Sequence, residues 1–210
     1  MDSLHLLTTT RSVRKRLDFD RPVEREVLEK CLEIALQAPT GSNLQSWRFV
    51  IVGEAEKRKQ ISELYRKAFK VYANTPNPAQ PSDAADPRVA QRDKVVSSAV
   101  YLAENMWRAP YLVIPCYEGR VEEQGVLAQA SFYGSILPAA WSFMLALRAH
   151  GLGTAWTTLH LMHEKEAAEI LGIPANVTQT CLLPVAYYQG DDFKPAQRLP
   201  VHQVISYDHW

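Results

Sequence analysis

The chain has 210 residues, 47% of them hydrophobic and 22% charged, with 23 Lys and Arg set against 23 Asp and Glu. That length holds a full core in a single domain over residues 1–210, and the balanced charge gives no general attraction to nucleic acid or an anionic membrane. Three scattered cysteines, Cys31, Cys116 and Cys181, exclude a disulfide framework and suit a reducing cytoplasm.

In chain order, the first residues lack the long apolar block of a signal peptide, because His5 interrupts Leu4 to Leu7. Arg11, Arg14, Lys15 and Arg16 then place four cations within six positions, with the hydroxyl of Ser12 among them. Such a cluster suits a phosphate monoester; the other reading is a solvated basic turn. Over residues 24–37, Val27, Leu28, Cys31, Leu32 and Ala35 recur at helical steps, and Pro39 ends the helix.

Residues 38–52 pass from turn formers into a β-branched run. Thr40, Ser42, Asn43 and Gln45 offer hydroxyls and amides that both donate and accept, and Gly41 leaves space for a ligand against the backbone. Phe49 to Val52 reads as a buried strand. A second helix is expected over 54–73, with Ile61, Leu64, Ala68 and Val71 on its apolar side. Residues 74–93 hold four prolines among polar and small residues. They read as a surface loop, either lid-like or an insertion without function.

Helix resumes over 94–107, and residues 111–117 form a central strand in which Pro115 removes one ladder donor. Residues 127–150 are helical and apolar all round, with Pro138 expected to kink or divide them. The apolar stretch 136–147 is too short to span a bilayer. Gly151 then stops the helix before a short strand, a helix over 164–171 ends at Gly172 and Pro174, and residues 180–188 form the last strand. His160 and His163 lack a third ligand, so no metal site is expected. Neither a nucleophile elbow nor a P-loop occurs.

Several short motifs together resemble the FMN-dependent nitroreductase family. Pro39-Thr40-Gly41-Ser42-Asn43-Leu44-Gln45-Ser46-Trp47 is similar to its signature loop, with Ser46 in place of the usual proline. Arg11-Ser12-Val13-Arg14 matches its N-terminal motif, where Thr10 replaces a first Arg. Gly151-Leu152-Gly153-Thr154 and Arg198-Leu199-Pro200 complete the likeness.

The resemblance implies an α+β fold, a mostly antiparallel sheet flanked by helices, and an intertwined homodimer with FMN at the subunit interface. By the same likeness Arg11, Ser12 and Arg198 would meet the FMN phosphate. Arg14 would lie beside the N1/O2 edge of the ring, where a cation favours the reduced, negatively charged flavin. Pro39, Thr40, Gly41 and Asn43 would reach the cofactor from the neighbouring subunit, and the backbone of Trp156, Thr157, Thr158 and Leu159 would cover the ring. An acidic residue is frequent in that last segment, and this chain has none. The implied activity is hydride transfer from NAD(P)H through FMN to nitroaromatic, quinone or related small molecules in ping-pong order. Other flavin chemistry, such as dehalogenation or flavin breakdown, and non-enzymatic flavin binding are the alternatives.

Overall fold

The computed structural model describes residues 2–76, 81 and 86–210. A six-stranded sheet runs through it, and every pairing in it is antiparallel. Its hub is β3 (Tyr111–Glu118), an almost wholly buried strand. Along one side of β3 lies β2 (Trp47–Val52), in register from Trp47 opposite Tyr117 to Val52 opposite Leu112. The other side is shared by β5 (Val177–Gln179) and β6 (Leu183–Tyr188). Strand β6 also pairs with β1 (Leu17–Asp18) and β4 (Leu152–Thr154).

Side chains of β3 alternate between two apolar layers, as the period of two requires. Leu112, Ile114 and Cys116 pack with Ile61 and Leu64 of α3 (Ala55–Asn74), and with Leu102 of α4 (Pro87–Asn105). Val113 points the other way, toward Leu28 and Cys31 of α2 (Arg25–Ala35) and toward Phe143 and Leu147 of α5 (Val126–Ala149). Both faces are therefore covered, which explains why the strand reads as an unbroken apolar run. A short N-terminal helix, α1 (Ser3–Thr9), and α6 (Glu164–Leu171) complete the helices.

Several expectations need correction. The loop over 74–93 is shorter at both ends, because α3 runs to Asn74 and α4 begins at Pro87. The Asp86 side chain caps α4 by accepting from the Arg88 N–H at 2.8 Å. The loop expected over 77–80 and 82–85 lies outside the described residues. On α3, Val71 is 54% exposed rather than core-facing. Pro138 sits inside α5 without dividing it. At 24 residues α5 is long and apolar enough to cross a membrane by length and composition, although half of its most apolar window is buried inside the protein.

The final strand is shorter than expected, Leu183–Tyr188, and a separate strand, Val177–Gln179, precedes it. Between them Thr180 donates both its N–H, at 3.0 Å, and its hydroxyl, at 2.7 Å, to the Pro115 carbonyl. Pro115 thus lacks a donor but has its acceptor doubly used.

Candidate functional site

The cations of the N-terminal segment are placed by the residues between them. The Val13 N–H donates to the Thr154 carbonyl at 2.8 Å. Val13 and Leu17 are buried against Gly153, where an added Cβ would lie 3.0 Å from the Val13 Cβ. A side chain there would push the segment off the sheet. With Val13 and Leu17 held in the core, Arg11, Ser12, Arg14 and Lys15 line a cavity of about 390 Å³ together with Lys94 of α4 and Phe193.

Each cation is engaged differently. Arg11 reaches the Lys194 carbonyl at 3.4 Å, and Lys15 bonds the Ser97 hydroxyl at 2.7 Å. Arg14 has the Ser98 hydroxyl at 3.4 Å; burial opposes its charge and lowers its pKa, with Tyr65 as the partner acting the other way. Arg16 is committed to the C-terminal tail. It donates to the Gln189 carbonyl at 2.6 Å and to that of Asp191, and lies 4.1 Å above the Phe193 ring.

That tail is held by Asp192, whose carboxylate joins His5 of α1 to Arg148 of α5. Arg148 is 2% exposed, and its guanidinium also donates to the Tyr188 hydroxyl. Asp192 is held down to about 2, first by the backbone N–H of Phe193 and then by His5. The clasp sets Phe193 at the edge of the cationic cavity.

A second cavity, of about 530 Å³, shares Arg14 and Val95 with the first. Trp156, Thr157, Thr158 and Leu159 line it. Thr157 is fixed to Leu182 by a reciprocal backbone pair at 3.2 and 2.7 Å, and its hydroxyl donates to the same Leu182 carbonyl at 2.7 Å. Its hydroxyl is thus occupied, while Thr158 is exposed. Both cavities fall in the ~300–1,000 Å³ range of small-molecule sites. A cavity of about 1,070 Å³ elsewhere is lined by Glu122, Glu123, Glu164 and Glu169, and its charge repels an anion.

The remaining expected residues lie elsewhere in the single chain. Pro39, Thr40, Gly41 and Asn43 line neither cavity, and Arg198 is exposed and lines neither. The 39–45 loop is nonetheless tightly built. Gly41 N–H donates to the Ser135 hydroxyl at 2.9 Å, and Ser42, Asn43 and Gln45 all adopt positive φ, between 51° and 55°. Left-handed backbone at Ser42 and Gln45 is strained. Gly41 also packs closely on α5: an added Cβ would sit 2.8 Å from the Ser131 hydroxyl oxygen.

Sequence reading missed Tyr65, Phe69 and Tyr72 of α3 and Arg88 and Arg92 of α4, all of which line the second cavity. Aromatic spacings of four and three along α3 were a usable signal. The two arginines fell in a stretch read as loop.

The nitroreductase family model matches residues 7–187. The chain belongs to the nitroreductase family. One member, an Archaeoglobus fulgidus protein provisionally named an NADH dehydrogenase/NAD(P)H nitroreductase, is 28% identical over 92% of this chain and 94% of its own. Among solved nitroreductase-fold structures, oxidised iodotyrosine deiodinase bound to FMN and 3-iodo-L-tyrosine superposes with a TM-score of 0.72, at 22% identity over 96% of both chains. The FMN and NADPH-dependent nitroreductase NfnB of Sphigopyxis sp. strain HMH gives 0.71 at 21% identity over 100% of both. At these identities the two structures establish the fold.

Proposed function

We propose that the chain is an FMN-dependent oxidoreductase that takes reducing equivalents from NADH or NADPH and delivers them to an electrophilic small molecule, such as a nitroaromatic or quinone, in ping-pong order. One observation carries this reading. A cation-lined cavity and an aromatic-lined cavity meet at a half-buried guanidinium, Arg14, whose charge burial opposes. Those features fit a phosphate joined to a planar, redox-active ring. FMN bound there supplies two-electron redox chemistry that the side chains do not supply themselves.

The chain's own residues bind and bias. Arg11, Ser12 and Lys94 hold the phosphate, Arg14 favours the more negative redox state, and the 156–159 backbone closes on the ring. The exposed 39–43 loop and Arg198 enter through a second copy of the chain, so the functional unit is a homodimer. A cytoplasmic setting is in keeping with three free buried cysteines, whose thiols burial pushes up to about 11 at Cys31 and about 12 at Cys116 and Cys181.

The test is the visible spectrum of the purified protein under anaerobic conditions. FMN absorbance should be present, should bleach with NADH or NADPH, and should return when menadione or a nitroaromatic is added. Bleaching by dithionite but by neither nicotinamide would overturn the reductase reading. A second reading, reductive dehalogenation, draws on the fold shared with the iodotyrosine deiodinase. Iodide release from 3-iodotyrosine by the reduced protein, without turnover of nitroaromatics, would favour it.

A further inference from the structure

We propose that the 530 Å³ cavity selects a planar aromatic substrate that carries an anionic group. This rests on reading that cavity as the place where the oxidant meets the cofactor. Its wall is aromatic on the α3 side, where Tyr65 and Phe69 stack with centroids 6.3 Å apart and planes 27° from parallel. Tyr72 and Trp156 extend that wall and favour a flat ring.

Charge decides which flat ring. Arg88 and Arg92, four positions apart, share one face of α4 and both line the cavity. Arg88 is offset by Asp86, its Nη2 lying 2.6 Å from the carboxylate. Arg92 instead donates to the Pro81 carbonyl at 2.7 Å, a neutral acceptor, and has no carboxylate partner among the described residues. Arg14 adds a third guanidinium, and no Asp or Glu is among the described lining residues.

An ammonium group entering this cavity would be repelled by Arg14 and Arg92, Arg88 being offset by Asp86, and the weak attraction of ring faces for cations does not offset that. A carboxylate or phenolate would gain a charge-assisted hydrogen bond from a planar fork. The chain has zero formal net charge, so the preference is local to this cavity.

Calorimetry on the FMN-loaded protein with three unreactive probes of one shape tests it: 2-naphthoate, 2-naphthalenemethanol and 2-naphthylmethyltrimethylammonium. At low salt naphthoate should bind about tenfold more tightly than the alcohol, the scale of one hydrogen bond to a charged group, with the ammonium weakest. The gap should shrink with added salt and in Arg92→Gln, and return in Arg92→Lys. Arg88→Gln should change it less, because Asp86 already offsets that charge. Equal affinities, no binding of any probe, or an unchanged preference in the Arg88→Gln/Arg92→Gln double variant would overturn the proposal. Flavin bleaching by NADPH is read on the same samples. Its absence with naphthoate preference intact would count against the reductase reading alone.

Discussion

Arg14 stands between the two cavities with one hydroxyl neighbour, so removing it changes charge more than packing. Arg14→Ala should lower the midpoint potential of bound FMN, whereas Arg14→Lys should keep much of it because the charge remains. Spectroelectrochemical titration of FMN-saturated protein decides; an unshifted Ala variant would remove the electrostatic role. His160 makes a different prediction. It is fully buried, neither ring nitrogen has a partner among the described residues, and burial pushes its pKa down to about 4 from 6.5. The unfolded chain takes up this proton at higher pH than the folded one. Stability should therefore fall as pH drops from 6.5 toward 4, by up to about 3 kcal/mol. His160→Phe should flatten that slope in urea titrations at several pH values, with little loss at pH 7, since no hydrogen bond is lost. At this scale the cluster Arg11, Ser12 and Arg14 was legible because its residues are neighbours in sequence. The commitment of the Thr157 hydroxyl was not, since its acceptor lies 25 residues away.

Among the elements, α6 was read to the residue because its stop is chemical: Gly172 sits at φ 68°, left-handed, directly after Leu171. An added Cβ there meets nothing within 4 Å, so Gly172→Ala isolates the backbone cost. It should lose about 1 kcal/mol of unfolding free energy, measured by denaturant titration, with the flavin spectrum unchanged. The start of α4 was missed for the opposite reason. Its first turns, residues 87–93, carry Val89 as their one large apolar residue, so no apolar stripe marks them, and the core is reached beyond them at Leu102, Ala103 and Met106. Prolines before residue 87 outweighed a periodicity that was hardly present. Likewise, the late start of the last strand, at Leu183, follows from Thr180 turning to Pro115, a pairing no local pattern encodes.

For the whole molecule, exposed apolar residues gather on α5 and the tail: Val126 and Leu127 are 84% and 85% exposed, and Val201, Val204 and Tyr207 68% to 76%. Monomers seldom leave that much apolar surface in water. The protein should be a homodimer at micromolar concentration by light scattering, and deletion of residues 199–210 should weaken it. Arg198→Ala should lose about 1.5–3 kcal/mol of FMN affinity if the assembled dimer brings that guanidinium to the phosphate. A monomer holding a full complement of FMN would refute the shared site. The sheet and its covering helices were legible through family likeness and periodicity. The place of residues 39–43 and Arg198, away from both cavities of the single chain, was not, because it depends on packing against elements distant in sequence.

Strand β6 has a further bearing, on how the protein is made. It is the surface on which β1, β3 and β4 all pair, yet at Leu183–Tyr188 it follows all three in the chain. At roughly 5–20 residues per second, a ribosome takes on the order of 10 to 30 s to pass from β1 to β6. Through that interval three strand edges wait without their partner, while helices already synthesised can only shield them. Nascent chains are then open to edge pairing with one another, and chaperone demand should peak just before β6 emerges. A chain ended at residue 182 should stay protease-sensitive however much helix it forms.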